Sequence, residues 1–123
     1  MLPTPMPETN PSPLTVVCLC AGWCDICEEY RQTFASLADE FAGQARLIWV
    51  DIEDQEEIVG SLDIENFPTL LIGTADDVRF YGAITQLSGT ARQLIRKGLV
   101  DELGRVAEPE LATMLNEIRA LES

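Results

Sequence analysis

The chain has 123 residues, 46% of them hydrophobic, enough to build one ordinary core without disulfide staples. Eight basic residues against 21 acidic ones leave a formal net charge of −13, which repels nucleic-acid backbones and anionic lipid surfaces and suits partners with basic docking patches. Histidine is absent, which excludes imidazole general bases, Cys-His and Ser-His-Asp nucleophile systems and every His-containing metal site.

In chain order, residues 1–13 are rich in Pro, Thr, Asn and Ser without apolar periodicity and read as a flexible, Pro-rich arm. The start, Met1-Leu2-Pro3-Thr4-Pro5-Met6-Pro7, has neither the basic region nor the apolar stretch of a secretory signal. The expectation is a cytoplasmic protein with reduced thiols. No apolar run approaches the roughly 20 residues of a membrane span. Leu14 to Cys20 is a continuous apolar run with β-branched residues, the pattern of a buried central strand. The period then changes: Cys27, Tyr30, Phe34, Leu37 and Phe41 form one helical stripe, which Gly43 stops. Residues 46–51 read as a second strand, parallel to the first because a helix joins them.

Asp54 and Glu57 suggest a capping box opening a short helix through Leu62. A third strand, Thr69 to Ile72, follows Pro68, and a short turn at Asp76-Asp77 leads into a fourth, Val78 to Tyr81, ending at Gly82. That connection makes the last two strands an antiparallel hairpin. Ser88 is expected to cap a helix running to about Lys97. Pro109 opens a final helix with Leu111, Met114, Leu115, Ile118 and Leu121 on one face. Its stripe is expected to pack on the domain or to form a homodimer contact.

The chemistry is concentrated in Trp23-Cys24-Asp25-Ile26-Cys27, two thiols three residues apart where a strand gives way to a helix. The first helical turn brings two Cα atoms within the span of a disulfide. Its unpaired amides and positive dipole end favour a thiolate on Cys24. Cys27, one turn further in, is expected to be the resolving thiol. Asp25, Glu28 and Glu29 place like charge around the nucleophile and oppose the dipole, which favours a reductase over an oxidase or isomerase.

This segment, with Phe67-Pro68-Thr69-Leu70-Leu71, resembles the thioredoxin superfamily. Pro68 stands 44 residues after Cys24, as in thioredoxin, and Gly82 matches a glycine ending the last strand. The resemblance covers roughly residues 14–98. It implies an α/β, thioredoxin-like fold: a mixed sheet of about four strands flanked by helices, lacking the usual first strand and helix and carrying an extra C-terminal helix. The implied organisation is an arm over 1–13, a domain over 14–100, and a linker and amphipathic helix over 101–123. The resemblance further implies that Trp23 packs beside the disulfide and that Pro68 is a cis-proline shaping the substrate groove. The backbone of Phe67 would pair with substrate. Disulfide-containing proteins are the implied substrates and a thioredoxin-reductase-like flavoenzyme an implied electron donor, with no cofactor or metal bound.

The chain departs from that pattern in several places. Asp25-Ile26 replaces the usual Gly-Pro, Cys18 and Cys20 stand where a buried aspartate and a tryptophan are usual, and the lysine that partners the aspartate is absent, with Trp49 on the corresponding strand. Phe67 is bulkier than the usual residue before the proline. Cys18 and Cys20 share one strand face and admit three readings: small buried hydrophobes; auxiliary thiols, with Cys18 behind Cys27; or half of a four-thiolate zinc or iron–sulfur site with Cys24 and Cys27. A non-catalytic binding or chaperone module is the alternative to the oxidoreductase.

Overall fold

A computed structural model describes residues 14–21, 24–59, 68–74 and 77–121. The expected arm, the end of the helix expected through Leu62, Trp23 and Phe67 lie outside the described residues. The elements are β1 (Leu14–Cys20), α1 (Asp25–Glu40), β2 (Ala45–Asp51), α2 (Glu56–Val59), β3 (Thr69–Gly73), β4 (Val78–Ala83), α3 (Ser88–Leu99) and α4 (Pro109–Leu121). The sheet order is β2-β1-β3-β4. β1 pairs in parallel with β2 and antiparallel with β3, and β3 pairs antiparallel with β4. This is the mixed four-stranded sheet flanked by helices that the sequence predicts.

Every residue of β1 is buried, and its alternation divides the core in two. Val16, Cys18 and Cys20 lie on one face with Tyr30, Phe34 and Leu37 of α1 and Ala91 and Ile95 of α3. Val17 and Leu19 lie on the other face with Ile48, Val50 and Leu71 and the α4 stripe of Leu111, Met114, Leu115 and Ile118. That stripe is therefore buried within the chain's own fold, while Leu121 at its end is half exposed.

Two glycines carry close geometry. Gly43, with φ +87°, ends the turn after α1 in the left-handed region that glycine enters freely. A Cβ on Gly73 would stand 2.6 Å from the Asp77 carbonyl oxygen and 2.7 Å from Cδ2 of Leu115, so glycine there lets the hairpin close beneath α4.

Two caps differ from expectation. Ser88 is the first helical residue of α3, with Leu87 at the cap position and no side-chain cap bond. The Thr90 amide donates to the Leu87 carbonyl at 3.1 Å, because the chain enters from β4 already extended at Leu87. α2 opens at Glu56, so Asp54 lies ahead of its cap position. Asp51 organises that turn instead, its carboxylate accepting from the Glu53 amide at 2.9 Å.

The segment between α3 and α4 is tied to β4. Val106 bridges Val78, its amide donating to the Val78 carbonyl at 2.8 Å. Asp101, at φ 60°, accepts from Arg79 at 2.7 Å and from Arg105 at 2.9 Å, and Arg105 reaches Asp77 at 2.9 Å.

Candidate functional site

The site lies where β1 meets α1. Cys24 is the N-cap residue of α1, extended at φ −91° and ψ 120°, and its side chain makes no cap hydrogen bond. Its amide donates to the Ala21 carbonyl at 3.1 Å, and its carbonyl accepts the first helical bond from Glu28 at 3.1 Å. The thiol thus stands at the N-terminal end of a 16-residue helix, beside its unpaired amides. Cys24 is half-buried, Asp25 and Ile26 are exposed, and Cys27 is buried. Glu28 and Glu29 are exposed too, so solvent screens the negative charge around Cys24.

The sulfur pairing differs from the expected one. Cys27 forms a disulfide with Cys20, their Cα atoms 5.8 Å apart, and Cys24 and Cys18 are free thiols. The reason is one of register. Because β1 and β2 are parallel, α1 runs back along β1. Two strand residues advance about 6.6 Å and three helical residues about 4.5 Å. Successive inward residues of the helix, Cys27 and Tyr30, therefore meet successive inward residues of the strand, Cys20 and Cys18. Cys20, not Cys18, is the residue that lies against Cys27. Cys18 lies one step deeper, its sulfur 4.0 Å from that of Cys20.

Burial pushes the Cys18 thiol far above its ordinary value, so it stays protonated. The Tyr30 hydroxyl is raised as well, by burial first and by charge on Cys18 second. That hydroxyl is buried without a hydrogen-bond partner among the described residues. Two of the four sulfurs are spent in the disulfide, which removes them as thiolate ligands. Among the described residues, no group of three or more Cys, Asp or Glu is arranged to hold a metal.

Pro68 is buried, and its carbonyl accepts from the Ile84 amide at 3.0 Å. The β1–β3 register pairs Leu19 with Thr69, and one step further brings Pro68 beside Cys20. Of the residues named from sequence, the structure thus gathers Cys18, Cys20, Cys24, Cys27 and Pro68 at one end of the sheet. Trp49 pairs with Cys18 in the β1–β2 register. Its ring packs 6.0 Å from that of Phe34, with the Arg31 guanidinium 5.2 Å over its face. A cleft lined by Ala21, Cys27, Glu28, Arg31, Trp49 and Asp51 opens onto Cys27 from the β2 side. Sequence reasoning missed Arg31 and Asp51. Asp51 was legible as the β2 residue paired with Cys20; Arg31, exposed on α1, carried no signal of its own.

Known proteins agree with this architecture. The chain is 33% identical over 52 residues to thioredoxin C-2 of Corynebacterium nephridii, a match covering 42% of this chain and 48% of that one. It spans about half the length of the curated relatives it matches. The thioredoxin of Trypanosoma brucei brucei superposes with a TM-score of 0.62 at 27% identity, over 72% of this chain and 77% of that one. The germline-specific thioredoxin Deadhead of Drosophila melanogaster superposes at 0.63 with 22% identity, over 73% and 85%, a likeness of fold. The thioredoxin family profile matches residues 9–96, a stretch holding the cysteine-bearing junction, Pro68 and the whole sheet, and the chain belongs to the thioredoxin family.

Proposed function

We propose that the chain is a thiol–disulfide oxidoreductase that reduces disulfides in proteins through Cys24 and Cys27. The carrying observation is the placement of Cys24: a half-exposed thiol at the cap of α1, with the buried Cys27 one turn behind it. In the reduced protein, the Cys24 thiolate attacks one sulfur of a substrate disulfide and displaces the other as a thiolate. Cys27 then attacks Cys24 in the mixed disulfide and releases the second substrate thiol. The substrate gains two electrons and two protons, and Cys24 and Cys27 lose them by joining. A dithiol or flavin-dependent reductase returns the electrons.

In this reading Pro68, with Trp23 and Phe67, forms the groove where an extended substrate segment lies. The acidic surface selects partners with basic patches, and the cytoplasm is the working compartment. The test is turnover of an insulin-like disulfide substrate with dithiothreitol as electron source. Wild type is expected to accelerate reduction and Cys24→Ser to abolish the acceleration. Equal rates with and without the wild-type protein would overturn the proposal.

A further inference from the structure

Cys20 and Cys24 compete for one sulfur. Cys20 holds Cys27 in the structure. Cys24 is at the cap and Cys27 at the third position of the same helix, a spacing that keeps their Cα atoms within the roughly 7 Å a disulfide spans and lets a small backbone shift at the cap bring the Cβ atoms together. We propose that Cys20 is a third exchange thiol, and that Cys27 passes between Cys24 at the surface and Cys20 in the core. The inference rests on the dithiol chemistry proposed above and adds a buried resting form of the oxidised protein.

The step balances without an outside oxidant. The Cys24 thiolate, having given its proton to solvent, attacks the sulfur of Cys27. The Cys24–Cys27 bond forms, the Cys20–Cys27 bond breaks, and Cys20 leaves as a thiolate that takes up one proton. One disulfide is exchanged for another. A thiolate leaving into the core is costly unless a donor meets it. Cys18 sits 4.0 Å from Cys20, and its own burial keeps its S–H proton in place. Cys18 is thus a positioning residue and takes no part in the bonds exchanged.

The arrangement has a consequence for reduction. Cys20 and Cys27 are 1% and 2% exposed, so an external thiol meets the disulfide far more readily when it has moved to Cys24. Oxidised protein parked as Cys20–Cys27 presents one surface thiol and resists its reductant.

The test uses wild type, Cys24→Ser and Cys20→Ala, each refolded in a glutathione redox buffer, quenched in acid, alkylated and digested with chymotrypsin. Cleavage after Leu19, Trp23 and Tyr30 isolates residues 20–23 from residues 24–30. A Cys20–Cys27 bond then links two fragments, and a Cys24–Cys27 bond closes within one. Wild type is expected to show both bonds, Cys24→Ser only the link between fragments, and Cys20→Ala only the internal one. Oxidised wild type is expected to be reduced by dithiothreitol more slowly than oxidised Cys20→Ala, about tenfold if nine molecules in ten rest in the buried form.

Natively folded Cys24→Ser with Cys20 and Cys27 both alkylated overturns the inference, and so does equal reduction of wild type and Cys20→Ala. Where Cys20→Ala fails to fold, the Cys24→Ser result decides alone. A separate signature, no Cys24–Cys27 bond in any variant and no substrate reduction, marks failure of the underlying dithiol reading.

Discussion

Removing α4 is expected to unfold the protein. Leu111, Met114, Leu115 and Ile118 are each no more than 2% exposed and cover Val17, Leu19 and Leu71 on the second face of the sheet. Burying a side chain of this size contributes about 1.5–3 kcal/mol, so the four together contribute about 6–12 kcal/mol. That is comparable to the whole stability of a domain, about 5–15 kcal/mol, before the newly wetted sheet face is considered. A chain ending at Val106 is therefore expected to lose its cooperative urea transition, followed by tryptophan fluorescence and far-UV circular dichroism. Leu115→Ala grades the effect at about 2–5 kcal/mol. Leu121→Ala, at a side chain 52% exposed, is expected to change stability by less than about 0.5 kcal/mol. Because the stripe is buried within one chain, the midpoint is expected not to vary with protein concentration. A truncated chain with a wild-type transition would refute the packing argument, and a concentration-dependent midpoint would restore the dimer contact.

The remaining predictions concern the thiols and the surface ties. Under native alkylation with mass spectrometry, fully buried Cys18 is expected to react at least about a thousandfold more slowly than half-buried Cys24, since it waits on global opening. Labelling of Cys18 at the rate of Cys24 would contradict its burial. Cys18 is raised in the folded state, so its contribution to stability is whole below the unfolded thiol value near 9 and is lost as pH climbs above it. For the reduced protein this term is about 1.4 kcal/mol per pH unit, and Cys18→Ala is expected to flatten the alkaline limb of the denaturation profile by that slope. Asp101 behaves oppositely: the hydrogen bond and charge of Arg105, and then Arg79, hold its carboxyl below the ordinary range. Its tie is present above that range and is lost in acid, so Asp101→Asn or high salt is expected to speed amide exchange at Val106 while the β1 amides stay protected. Glu40, which takes Arg92 at 2.9 Å and Arg96 at 3.7 Å, joins the end of α1 to α3 through partly exposed groups. Its replacement by Gln is expected to cost less than about 1 kcal/mol in urea denaturation.

How much of this was legible can be argued element by element. Apart from Thr15, the β1 run is apolar because both faces of a central strand are covered, and its bounds are readable from that alone. The stripe Cys27, Tyr30, Phe34, Leu37 likewise announces the buried side of α1. Parity also assigns Cys18 and Cys20 to one face. It does not tell which of them meets Cys27, because that depends on how far along β1 the helix is set down. The missed caps have a similar origin: Ser88 and Asp54 are competent capping residues, but the paths of β4 and of the turn at Asp51 decide where each helix begins. The left-handed Asp101 carries no mark in its local sequence, since its ion pairs come from Arg79 and Arg105 at 22 and 4 residues' distance.

The sulfurs and the tryptophan beside them meet at one spot. Cys18 and Trp49 are paired across β1 and β2, so a thiol and an indole, not a charged pair, meet at this point of the core. Such a pairing carries no ionic desolvation cost. Cys27 meets Cys20 on its buried side and the cleft of Glu28, Arg31 and Asp51 on its open side. A tryptophan in the position of Cys20 could form no bond to Cys27. A cysteine there can, because α1 sets Cys27 down at the last residue of β1. The dithiol motif is thereby embedded in a row of sulfurs, and the chemistry open to Cys27 follows from the strand beneath it as much as from the two residues between it and Cys24.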